Sequence, residues 1–212
     1  MPQIRCVGRF GIAARVAATA APWLVALQPP HAFTPRHLEA LVDGVAGCGA
    51  RWGFSECALE PFGDVPSATM SALEAANDET RTSIAKVDAL GFAFIDQAFA
   101  PVGAGAVLFA RALHATLGGF RPLAGHEFWD FCVRAMWEDD PVHVQAKTYR
   151  HRVQVGEPTL PAAEREAAQV AIYRDYYARA CREESVPPNP HAPSLARWGL
   201  QFVRRMFQVG HV

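Results

Sequence analysis

The sequence predicts a layered α/β fold with a mainly parallel sheet, and three observations point there. Short apolar runs bounded by Pro, Gly or charged residues, at 23–27 and 106–109, have the length and composition of buried strands. Between such runs lie segments whose apolar residues recur at helical spacing, as Leu38, Leu41, Val42 and Val45 do, and strands alternating with helices indicate this class. Third, the 212 residues are half hydrophobic and 19% charged, an ordinary globular composition with enough chain for one sizeable core.

Taken in order, residues 11–21 are Ala-rich and favour a helix that Pro22 ends. Arg5, Arg9 and Arg15 give this region a faint likeness to a signal peptide, but Arg15 interrupts the run and no bulky apolar core follows. It reads as a helix and not as an export signal. After the strand at 23–27, Gln28-Pro29-Pro30-His31 breaks regular structure, because two consecutive prolines cannot donate to a ladder. Thr34-Pro35 then reads as a helix cap followed by proline at the first helical position, with the helix ending near Gly47 or Gly49. A strand is expected at 51–57. Residues 60–83 are polar and read as an excursion with one short helix about 71–76.

Apolar segments at 92–95 and 106–109 flank a Gly-containing turn at 101–105. A helix at 111–117 is closed by Gly118-Gly119, and the next spans 127–137. Residues 141–145 and 148–153 alternate as two strands. A long helix rich in Ala, Glu and Arg covers 161–184, a Pro-rich break covers 187–193, and a last helix at 194–208 carries Trp198, Phe202, Met206 and Phe207. The chain thus divides into 1–155 and a helical C-terminal extension, 156–212.

Charge and cysteine content narrow the function classes. A net charge of −1 with no dense basic run gives no electrostatic footprint for nucleic acid. No apolar run approaches the roughly 18 residues of a membrane span. The five cysteines are scattered and form no Cys-x-x-Cys pair, which indicates neither a disulfide framework nor a zinc site and suits a reducing cytoplasm.

The densest chemistry lies in residues 117–134, Leu-Gly-Gly-Phe-Arg-Pro-Leu-Ala-Gly-His-Glu-Phe-Trp-Asp-Phe-Cys-Val-Arg. Glu127 stands at a helix mouth, where it could act as a base or simply answer the helix dipole. Asp130, three residues on, is a second catalytic candidate or a partner for Arg134 four residues later. His126 is either a candidate for binding phosphate or a solvated loop residue, and Trp129 a candidate for stacking on a ligand ring or for the core. Alternation puts Arg150 and Arg152 on one strand face and His151 on the other. Gly103 and Gly105 either let the backbone approach a ligand or make a plain turn.

The ordered series formed by residues 11–15, 23–27, 33–39, 105–111, 117–120, 127–134 and 148–152 resembles the family 2 glycosyltransferases of the GT-A fold. The resemblance covers about residues 10 to 155 and implies a truncated GT-A-like sheet with flanking helices. It implies sugar transfer from a nucleotide-sugar donor to an acceptor hydroxyl with inversion, in bacterial glycan synthesis. Glu127 and Asp130 would be catalytic, and His126, Trp129, Gly105, Arg150 and Arg152 substrate-binding, with the two arginines near the donor phosphates. The family's Mg²⁺ or Mn²⁺ is the implied cofactor. Its acidic motif corresponds to Gln28-Pro29-Pro30-His31, where Gln28 and His31 are poor ligands for a hard cation. At the position of the family's usual base this chain has Phe128, beside Glu127.

The first, base-holding strands of the family are not expected here, which would leave a sheet edge open to pairing with a partner glycosyltransferase or a second copy. The resemblance suits a cytoplasmic protein, peripheral to the inner membrane if 194–208 rests on a lipid surface. Two readings stand: a glycosyltransferase, and a noncatalytic domain that binds a glycan or a partner enzyme.

Overall fold

The computed structural model describes residues 4–7, 20–27, 30–86, 103–123, 125–155 and 161–183. Its strands are β1 (Ile4–Val7), β2 (Trp23–Ala26), β3 (Ala32–Phe33), β4 (Trp52–Pro61), β5 (Val107–Ala110) and β6 (Val142–Val153). The helices are α1 (His37–Gly47), α2 (Ser67–Lys86), α3 (Arg111–Thr116), α4 (Glu127–Ala135) and α5 (Ala162–Glu183), with a 3₁₀ turn at Ala104–Ala106. Of the helix read at 11–21, residues 11–19 lie outside the described residues, as do the segments at 194–208 and 92–95 and Gln28, and residues 20–21 are not helical.

The strands form one sheet in the order β1-β2-β5-β4-β6-β3. The fold is α/β, but the sheet is mixed and not mainly parallel. β1–β2 and β4–β6 are parallel, while β5 runs against both β2 and β4, and β3 runs against β6. The alternation of strands and helices reveals which elements exist, whereas strand direction depends on where each connection returns. β1 was not expected at all; it pairs along β2 from Ile4↔Trp23 to Val7↔Ala26.

Helices cover both faces, and the side-chain alternation shows it. Val25 and Leu108 point to one layer with Leu41, Val42 and Val45 of α1. Leu24, Ala26, Val107 and Phe109 point to the other, with Trp129, Phe131 and Met136 from α4 and its following turn and Ile172 and Tyr176 from α5. The α1 stripe is His37, Leu41, Val42 and Val45, one face at helical period. Thr34-Pro35 does not start this helix. Its N-cap is Arg36, with no side-chain cap bond, and the Thr34 carbonyl accepts from His37 N–H at 3.1 Å. Residues 32–33 extend along β6 instead, which holds Thr34 back by a further bond to the Thr148 carbonyl.

Two further elements differ from expectation. Most of the polar stretch read as an excursion is the 20-residue helix α2, in which residues 71–76 are all exposed. The two strands expected at 141–145 and 148–153 are one strand, β6. The sequence break between them survives as register shifts, Ser55 pairing with Val144 but Glu56 with Lys147 and Cys57 with Tyr149.

Candidate functional site

The Leu117-Gly-Gly-Phe120 turn joins α3 to the loop before α4. Gly118 and Gly119 have φ of 72° and 82°, values that a side chain would strain. The turn leaves the Leu117 and Gly119 carbonyls facing Arg134, which donates to them at 2.6 and 2.7 Å. Arg134 Nε also donates to Asp130 Oδ2 at 2.8 Å, the i,i+4 pair anticipated from sequence. The second partner was not anticipated: Arg121 Nε donates to both Asp130 oxygens at 3.0 Å, and its terminal nitrogens reach Asp130 and Asp175 of α5. The only local signal for Arg121 was its place directly after the Gly-Gly-Phe turn.

Asp130 is fully buried, and both its oxygens are taken by guanidinium groups. The structure therefore shows Asp130, a catalytic candidate from sequence, paired with Arg134 and Arg121 away from solvent. Trp129 is buried next to it. At 2% exposure it packs in the core, edge-on to Tyr173 of α5 at 5.5 Å, and offers no face to a sugar. Phe128 is half-buried and packs against that core too.

Glu127 differs from its neighbours. It is half-exposed in the first turn of α4, with no side-chain hydrogen bond or ion pair to another described residue. His126 is the α4 N-cap, with its ring edge-on to Trp129 at 5.6 Å and its carbonyl accepting from Asp130 N–H. Beyond this helix start, between α4 and α5, lies a cavity of about 290 Å³ lined by Arg121, Arg134, Arg179, Trp137 and Tyr176 among others.

The second cluster forms where the turn at Pro30 and His31 meets the end of β6. His31 stacks on His151 at 4.3 Å and lies edge-on to Tyr149 at 5.7 Å, while its Nδ1 accepts from Arg152 N–H at 3.1 Å. The Arg152 guanidinium donates to the Pro30 carbonyl at 3.2 Å. Arg150 and Arg152 share Glu60 of β4, at 3.3 and 3.9 Å. The alternation read from sequence therefore holds, with the arginines beside Glu60 and His151 on the Tyr149 face. No hydrogen bond or ion pair joins Glu127 to this cluster among the described residues.

Gly105 packs against the ring of Tyr149. A Cβ there would lie 2.4 Å from the Tyr149 ring, so only glycine lets the ring close over the backbone. The Gly105 carbonyl accepts from His37 Nε2 at 2.9 Å, which leaves Nδ1 to accept from the Thr148 hydroxyl at 2.8 Å. Sequence reading passed over His37, although its place on the Leu41–Val45 stripe marks it as buried.

Burial lowers the His31 pKa to about 4, helped by His151 and then Arg152. Burial also lowers that of His37, against the Gly105 bond that raises it. Each imidazole is held below its ordinary 6.5, so the unfolded chain binds more protons than the folded one. Their contribution to stability is complete above about pH 6.5 and is lost as pH falls, down to about 4 for His31. Urea midpoints should therefore drop between pH 7 and pH 4.5, and His31→Gln should drop less steeply. Parallel pH slopes for the two proteins would remove His31 as a source of the effect.

The donors near the turn do not fit the hard cation that the resemblance implies. Pro30 offers only its carbonyl, which Arg152 holds, and one His31 nitrogen is occupied while its ring is stacked. Glu60, the carboxylate of this cluster, is shared by two arginines. Among the described residues no group of three or more His, Cys, Asp or Glu could hold a metal.

No protein-family model matches this chain and no curated protein does. Among solved structures it is similar to S. aureus TarS 1–349 in complex with UDP-GlcNAc, with a TM-score of 0.57 and 12% identity over 92% of this chain and 51% of that one. A second S. aureus TarS 1–349 structure gives 0.53 and 12% over 93% and 50%. The chain spans about half the length of these structures. The likeness shows the fold alone, a GT-A-like α/β sheet with flanking helices. Among the described residues no helix is long and apolar enough to cross a membrane.

Proposed function

We propose that this chain is a family 2-like glycosyltransferase domain that binds a nucleotide-sugar and transfers the sugar, with inversion, to an acceptor hydroxyl in bacterial glycan synthesis. Glu127 carries the reading: the helix mouth that resembles the family's base position presents one carboxylate that no described residue engages, while Asp130 is locked by arginines. In the reaction the acceptor hydroxyl gives its proton to Glu127, its oxygen bonds to the sugar's anomeric carbon, and the bond from that carbon to the diphosphate breaks. The nucleoside diphosphate leaves with the electron pair. Arg150 and Arg152 would meet the phosphates. His126, at the mouth beside Glu127, is a contact for the acceptor. Such a domain would work in the cytoplasm, where nucleotide-sugars are made, peripheral to the inner membrane if residues 194–208 rest on lipid.

Isothermal titration with UDP-, GDP- and dTDP-linked sugars, with and without Mn²⁺, tests the reading. UDP-GlcNAc comes first because a structure of the same fold holds it. Measurable heat with at least one donor, together with release of its nucleoside diphosphate, is the expected result. Flat titrations across the panel would sink it. A second reading is favoured by Phe128, which packs into the core where the family's usual base belongs. On that reading the domain binds a glycan or a partner glycosyltransferase without turnover, and a donor or glycan would bind while no nucleoside diphosphate appears.

A further inference from the structure

The mismatch between the turn at Pro30 and His31 and a hard cation has a positive counterpart in the residues beside it. The backbone oxygen that a cation could use, the Pro30 carbonyl, holds a guanidinium instead. The Arg152 guanidinium is held by that bond, and its backbone N–H donates to His31. It also lies over the Phe62 ring at 5.7 Å. Its side chain is nevertheless 37% exposed, and that of Arg150 is 45% exposed. Two guanidiniums share the single carboxylate of Glu60, so this trio carries a net positive charge, and burial keeps His31 beside it neutral at ordinary pH. A preordered, partly exposed arginine with unspent donors is suited to phosphate oxygens, which it can bind through two parallel N–H bonds.

We propose that this chain binds the diphosphate of its nucleotide ligand without a divalent cation, with Arg152, supported by Arg150, supplying the positive charge at the turn through Pro30 and His31. The proposal rests on the nucleotide-sugar reading but adds to it the means by which the diphosphate charge is met. Glu60 sets the strength of the site, because it competes with the phosphates for both arginines.

The test is isothermal titration of the full chain with UDP and with UDP-GlcNAc, in EDTA and in Mn²⁺. Affinities within about twofold of each other in the two buffers are expected. Arg152→Ala should weaken UDP binding by about tenfold or more, the scale of a lost charge-assisted bond. Arg152→Lys should lose less, and Glu60→Gln should tighten binding. Arg36→Ala, which removes a charge from a side chain 83% exposed and paired with Glu39, should leave affinity unchanged. Circular dichroism and urea midpoints of each variant separate lost binding from lost folding. Binding only in Mn²⁺, or an Arg152→Ala or Glu60→Gln protein that folds and binds UDP as the parent does, would overturn the proposal while leaving the nucleotide-sugar reading standing. Silence of the parent toward UDP, UDP-GlcNAc and the other donors in both buffers would overturn both.

Discussion

Asp130→Asn should lower the unfolding free energy by about 3–5 kcal/mol, the cost of removing one partner from a buried ionic cluster. The side chain is fully buried, and its two oxygens accept from Arg121 and Arg134. The amide keeps the size but loses the charge, and it turns an NH₂ group toward one of the two guanidiniums. The damage spreads because each arginine has other duties. Arg134 holds the Leu117 and Gly119 carbonyls, and Arg121 ties the α4 region to Asp175 on α5. Asp175→Asn provides the contrast: that carboxylate is 59% exposed, and its loss should cost less than about 1 kcal/mol. Urea denaturation of both variants measures the difference. Equal midpoints would mean that the α4 start is held by its apolar packing and not by the two-arginine cluster.

Glu127→Gln should reduce sugar transfer by about 10²- to 10⁴-fold, the range over which a positioned general base contributes. Nucleotide binding should stay at the parent value, since no hydrogen bond or ion pair links Glu127 to the cluster at Pro30 and His31 among the described residues. Stability should change little, because the half-exposed side chain has no described polar partner to abandon. This combination separates a base from a structural residue, which would alter the urea midpoint along with the rate. Single-turnover transfer with excess enzyme gives the rate and titration with UDP gives the affinity. An undiminished rate would assign the proton to another group or to water.

Much of the site's anatomy was legible because it is local. The Gly118-Gly119 stop, the start of α4 at Glu127 and the Asp130–Arg134 pair follow from spacings of one to four residues. The opposite faces of Arg150/Arg152 and His151 follow from strand alternation. Polar periodicity was less legible: α2 was shortened to a fragment because a helix with a mostly solvated face offers little apolar signal. Gly105 was read toward a ligand because a glycine signals close approach without naming what approaches. The neighbour is Tyr149, far along the chain.

By itself, the sequence determined the α/β class, the ends of β2, β5, α3, α4 and α5, and where the carboxylates and arginines stand along each element. These depend on propensity, period and capping within a few residues, which are written directly into the order of side chains. The tertiary structure alone decided that the sheet is mixed, that β1 pairs with β2, and that Asp130 is an anchor while Glu127 stays open. It also decided that Arg152 reaches back to Pro30 across 122 residues of chain. The physical reason is that burial and charge pairing are set by contacts between distant segments. The same acidic residue is a proton acceptor or a structural counter-ion according to which arginines the fold brings to it.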